Sequence, residues 1–110
     1  MAASDPASDP EDAKLVTLAR AARARTGAAQ GAAVRDTDGR TYSAATVALG
    51  TLRMSALQVA VAMAISSGAP GLEAVAIFGA DTSDDDGVAA VAELAPTARV
   101  LRAGLDGSLG

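Results

Sequence analysis

The chain of 110 residues contains no cysteine, no histidine and no tryptophan, and its aromatic content is one tyrosine and one phenylalanine. Each absence excludes some chemistry. Without cysteine there is no disulfide framework, no thiolate nucleophile and no cysteine-based zinc site. Without histidine there is no imidazole to serve as a base near neutral pH or as a metal ligand. Few aromatics and a net charge of −4 provide neither stacking platforms nor a positive domain, so nucleic acid is not an expected partner. No apolar run reaches the roughly eighteen residues of a membrane span, and the apolar-rich stretch Leu52 to Ile65 is too short. The first residues show no basic region followed by an apolar run, so no signal peptide is expected and the cytoplasm is the expected compartment. No cofactor is expected.

Half of the sequence is apolar, and most of that half is alanine, with much leucine and valine. The length predicts one domain. Alanine allows close approach between elements but buries little area per residue. A single subunit is therefore expected to be only marginally stable, and association would add burial.

Met1 to Pro10 is a small, polar, proline-containing stretch and is expected to be a disordered tail. The folded domain is expected over residues 11–103, with a flexible tail over 104–110. Asp9 is a plausible N-cap with Pro10 at the first helical position, and the helix should run to about Arg25, with Leu15, Leu18, Ala19 and Ala22 as its apolar stripe and Gly27 as its stop. Gly31 to Arg35 reads as a strand, Asp38-Gly39 as a hairpin turn and Arg40 to Val47 as the partner strand. A long helix is expected from Thr51 to Ser67, capped by Thr51. Only Arg53, Ser55 and Gln58 interrupt its apolar surface, so it should be buried on all sides, with a second subunit supplying part of the cover. Leu72 to Phe78 reads as a central strand, Asp81 to Asp86 as a capping segment, Gly87 to Leu94 as a third helix stopped by Pro96, and Arg99 to Ala103 as a last strand. The order predicts an α/β fold with a mixed sheet between helical layers.

From about Ala28 to Arg99 the sequence resembles the small homotetrameric cytidine deaminases. The resemblance is carried by the strand opening Gly31-Ala32-Ala33-Val34, the turn Asp38-Gly39, a strand through Tyr42 and Val47, and a helix with Ala56, Val59 and Ala60. It continues through the loop at Gly68, the strand near Val75, and Glu93 before Pro96. It implies a cytidine deaminase-like three-layer α/β/α sandwich. It also implies a hydrolytic site in which a zinc-bound water attacks the pyrimidine and a glutamate moves the protons. The positions matching the first metal ligand and the glutamate are Ser55 and Leu57. Those matching the two thiolates of the Pro-Cys-x-x-Cys motif are Asp84 and Gly87. The sugar-holding asparagine and glutamate match Thr46 and Ala48.

Each departure removes a function. Serine is a poor neutral zinc ligand, leucine cannot carry a proton, and glycine has no side chain; Asp84 alone does not make a tetrahedral site. No catalytic and no metal-ligating residue is therefore expected. Ser55 lacks a histidine base, and nothing in the sequence casts Lys14 as a base. The acidic run Asp81, Asp84, Asp85 and Asp86 lacks an EF-hand pattern and reads as a solvated loop favouring the start of the third helix. Arg53 and Gln58 could line a remnant cleft, bridge subunits or face solvent.

Two functional expectations follow. The first is an inactive, oligomeric structural or interaction module, a dimer or tetramer formed through the helix around Leu52 to Ile65, alone or beside an active relative. The alternative is a binder of a nucleoside-like small molecule in a remodelled cleft, with Thr46, Ala48, Arg53, Ser55 and Asp84 as candidates.

Overall fold

The computed structural model describes residues 9–106. Helix α1 (Pro10–Thr26) begins where the sequence places it: the Asp9 carboxylate accepts from the backbone N–H groups of Glu11 and Asp12, and Gly27 closes the helix in a left-handed conformation (φ 66°). Of the expected N-terminal tail, residues 1–8 lie outside the described residues, while Asp9 and Pro10 belong to the helix start; residues 107–110 lie outside as well.

Strands β1 (Gln30–Asp36) and β2 (Thr41–Ala45) form the expected hairpin. The buried Asp36 organises the turn. Its carboxylate accepts from the N–H groups of Asp38 and Arg40 (both 2.9 Å) and from the Tyr42 hydroxyl (2.9 Å). Burial pushes its pKa upward, but these donors together with the Arg40 charge outweigh it and hold the carboxyl below its ordinary value.

The next segment departs from expectation. The second strand stops at Ala45, not Val47. Val47–Ala48 (β3) instead pairs antiparallel with Arg53–Met54 (β4) as a separate two-stranded hairpin. The cause is Thr46, whose backbone N–H donates to the Gln30 carbonyl and whose hydroxyl oxygen accepts from the Gln30 N–H at 3.1 Å. This clamp ends the ladder and turns the chain.

The second helix, α2 (Ala56–Ser66), consequently starts five residues later than expected. Ser55 caps it, not Thr51. Gly50 and Thr51 form the turn of the small hairpin, where the Leu49 N–H donates to the Leu52 carbonyl. Ser55 and Gln58 form a reciprocal capping box, which satisfies the N–H of each, two donors that a helix start otherwise leaves without an intrahelical partner.

Strand β5 (Leu72–Gly79), helix α3 (Asp85–Leu94) and strand β6 (Arg99–Ala103) complete the fold. The sheet order is β2-β1-β5-β6, with β5 antiparallel to β1 and parallel to β6. The strand–helix–strand unit therefore has the expected parallel pair, and the sheet is mixed. Alternation along β5 divides the core: Ala74, Ala76 and Phe78 face α1 with Leu15 and Ala19, while Val75 and Ile77 face Leu57, Ala60 and Val61 of α2 and Val91 of α3. The layers are α1, the sheet, and α2 with α3, as the three-layer expectation requires.

Small residues set the spacing. A Cβ added to Gly31 would stand 1.9 Å from the Ala19 carbonyl oxygen, so α1 can approach β1 this closely only over glycine. Among the described residues no helix is long and apolar enough to cross a membrane.

Candidate functional site

The amino ends of α2 and α3 meet on one face of the sheet, and three of the four positions matched to the metal and proton-transfer machinery converge there. Leu57, in the first turn of α2, is fully buried. Gly87, in the first turn of α3, lies directly against it: a Cβ at Gly87 would come within 2.8 Å of the Leu57 Cβ and 2.5 Å of Asp84 Oδ2. Real Cβ atoms do not pack so tightly, so the missing side chain lets the two helices close together. Asp84 caps α3, its Oδ1 accepting from the Gly87 N–H at 2.9 Å, while its Oδ2 is buried without a hydrogen-bond partner.

The fourth position, Ser55, is committed to the helix start. Its hydroxyl oxygen accepts from the Gln58 N–H at 3.1 Å, and its own N–H donates to Gln58 Oε1 at 2.9 Å. A catalytic tetrahedral zinc site needs three protein donors of nitrogen, sulfur or carboxylate type, with water in the fourth position. These positions offer one carboxylate, one hydroxyl already engaged in capping, one hydrocarbon side chain and one hydrogen. The residues present do not fit the ion. Among the described residues no group of three or more acidic side chains converges as a metal site.

The acidic segment is organised by local hydrogen bonds. Asp81 accepts from both the hydroxyl (2.6 Å) and the N–H (2.9 Å) of Ser83, which together hold its carboxyl below the ordinary value. The Gln30 side chain ties this loop to β1 by donating to the carbonyls of Asp81 (2.5 Å) and Ser83 (3.1 Å). Asp85 and Asp86 occupy the first turn of α3, where a negative charge meets the positive end of the helix dipole.

Outside the Leu57–Gly87 contact an open cleft of about 320 Å³ remains. Thr46, Ala48, Arg53 and Ser55 line it, together with Gln30, Met54, Gln58 and Asp86. Asp84 does not line it; Asp86, two residues later, does. Thr46 has its hydroxyl engaged with Gln30, and Ala48 offers only a methyl group.

One polar cluster was missed by the sequence reading. Asp12, on the buried side of α1, accepts from Arg35 Nη2 (3.1 Å) and Arg99 Nη2 (2.8 Å), and Arg35 Nε reaches Glu73 at 2.8 Å. Asp12 and Arg35 are both buried, while Arg99 and Glu73 are half-exposed. Burial raises the Asp12 pKa, but hydrogen bonds from Arg99 and Arg35 prevail and hold it low. The signal was present: Asp12 stands three residues before Leu15, on the same helical stripe as Ala19 and Ala22. Arg35 alternates in β1 with Ala33, which faces α1.

A family model for cytidine deaminase-like proteins matches residues 8–107. Among solved structures, the chain is similar to a cytidine deaminase from Burkholderia pseudomallei, with a TM-score of 0.79 and 22% identity over 89% of this chain and 88% of that one. At that identity the likeness establishes a shared fold. No curated protein matches the chain.

Proposed function

Since this chain belongs to the cytidine deaminase-like family, we propose that it is a member without zinc-dependent hydrolysis, acting as an oligomeric structural or interaction module. The observation that carries the reading is the contact between Leu57 and Gly87. The two positions that would carry a proton-transfer carboxyl and a thiolate are a fully buried leucine and a glycine whose missing Cβ the leucine approaches. Burying that leucine contributes roughly 1.5–3 kcal/mol to folding, whereas an ionised carboxylate there would lack a partner and oppose folding. The first turns of α2 and α3 thus serve packing.

The outward side of α2 supports the second half of the reading. Ala56, Leu57, Ala60, Val61 and Ala64 face the core, while Ala62, Met63 and Ile65 face away, with Met63 40% and Ile65 55% exposed. Among the described residues the helix has no acidic side chain in its first turn and no basic one in its last. Such a surface is suited to a second copy, because small residues let helices approach closely and the exposed Met63 and Ile65 supply the apolar contact.

Native mass spectrometry of protein purified without added metal tests both parts in one measurement. The expected spectrum is a dimer or tetramer without zinc, from protein that releases no ammonia from cytidine. A monomer at micromolar concentration would refute the association, and stoichiometric zinc with turnover of cytidine would refute the inactive site. A mixed assembly with an active relative would replace the homo-oligomer in this reading.

A further inference from the structure

We propose that the open cleft beside Ser55 binds a small zwitterion, an amino acid with a short apolar side chain. The proposal does not rest on the oligomeric reading. One wall of the cleft offers donors without acceptors. Arg53, exposed on β4, has no ion-pair partner among the described residues. Gln58 gives its Oε1 to the Ser55 N–H, which leaves its Nε2 group unengaged. Ser55 uses its oxygen to accept from the Gln58 N–H, which leaves its hydroxyl proton to donate. A guanidinium, an amide NH2 and a hydroxyl on one short segment match the two oxygens of a carboxylate.

Asp86 lines the same cleft, exposed and without an ion-pair or hydrogen-bond partner among the described residues. It provides the acceptor for an ammonium group. Val47 and Met54 supply apolar surface in the same lining. A volume of about 320 Å³ suits a small ligand. The competing chemistries fit less well. A phosphate dianion would be repelled by Asp86. A neutral nucleoside would leave the Arg53 charge unmatched and would find the Thr46 hydroxyl already bonded to Gln30.

The test is an amide-resolved NMR titration of the full chain with L-leucine, 4-methylpentanoate (the same skeleton without the amine), 3-methylbutylamine (without the carboxylate) and cytidine. Leucine is expected to give saturable shifts at Arg53, Ser55, Gln58 and Asp86 in the millimolar range. Each truncated compound should bind roughly tenfold more weakly, the size of one lost charge-assisted interaction. Arg53→Gln should weaken leucine by a similar factor with an unchanged thermal midpoint, since the side chain is exposed. Asp86→Asn should abolish the preference for leucine over 4-methylpentanoate. No saturable shift with leucine, equal binding of leucine and 4-methylpentanoate by the unaltered chain, unchanged leucine affinity in Arg53→Gln, or saturable binding of cytidine alone would each overturn the proposal.

Discussion

Replacing Gly87 with alanine should destabilise the protein, against the usual direction of that change. Within a helix, glycine to alanine ordinarily adds about 0.5–1 kcal/mol of stability, because alanine loses less backbone entropy on folding. Gly87 has an ordinary helical backbone, since among the described residues the glycines with positive φ are Gly27, Gly39 and Gly68. The opposing terms come from the neighbours. The new Cβ would sit 2.8 Å from the Leu57 Cβ, where about 3.5–4.0 Å is comfortable. That atom is fixed by the α2 backbone and cannot rotate away. The same Cβ would lie 2.5 Å from Asp84 Oδ2. Moving the carboxylate would strain the cap that it makes to the Gly87 N–H at 2.9 Å. Overpacking costs about 1–3 kcal/mol, and a weakened cap adds about 0.5–1 kcal/mol. Less the propensity gain, the net loss is about 1–3 kcal/mol. For a domain of this size that corresponds to a fall in Tm of roughly 5–20 °C. Far-UV circular dichroism in a urea series reads it without an added fluorophore. Ala92→Gly, on the exposed side of the same helix, supplies the propensity term alone as a control. Wild-type or higher stability in Gly87→Ala would show that α2 and α3 do not touch at this point, and the account of the site would fail with it.

Three other outcomes are expected. Asp12→Ala, which leaves the buried Arg35 with Glu73 alone, should cost about 3 kcal/mol, the lower end for breaking a buried pair. Because the folded-state pKa of Asp12 is depressed below 3.8, its stabilisation is present above that pH and is lost as pH falls through the folded value. The gap between wild type and variant should therefore close in strong acid, as acid titrations of unfolding would record. Ile65→Glu should shift the oligomer toward monomer in analytical ultracentrifugation and leave the fold intact, because Ile65 is 55% exposed in the single chain; an unchanged sedimentation coefficient would argue against α2 as the contact. Ser55→Ala should lower stability by about 1 kcal/mol through loss of the capping box, measurable by urea unfolding, whereas a loss below a few tenths would mean that the box is not formed.

Most elements were legible because their signals are local. The Asp9–Pro10 start, the Gly27 stop, the Asp38-Gly39 turn and the continuous apolar run of β5 each carry their own physical marker. The last strand, Arg99 to Ala103, was read with its observed ends. The failures lie where a local signal competed with a tertiary one. The alternation from Arg40 to Val47 reads as a single strand until the Thr46–Gln30 clamp cuts it. Thr51 is an acceptable cap by residue type, but Ser55 with Gln58 three residues later is the stronger signature. The positions Leu57, Asp84 and Gly87 could be named from the family pattern, but that a Gly87 Cβ would meet Leu57 became visible only in three dimensions. Asp86 in place of Asp84 at the cleft follows from the turn of α3, which sequence spacing does not fix. Periodicity turns Asp12 and Arg35 inward, but the cluster also joins Asp12 to Arg99, 87 positions apart, and no local pattern pairs residues at that separation.

That last separation bears on how the protein is made. On the ribosome Asp12 emerges early, and the guanidinium of Arg99 arrives only after almost the whole domain has been translated. Until then the edge of β5 that β6 will cover stands open, and the carboxylate has Arg35 as its sole counter-charge. Completion of the native state thus waits on the final strand, and nascent chains stalled before it would be the species most exposed to mispairing and to quality-control proteases.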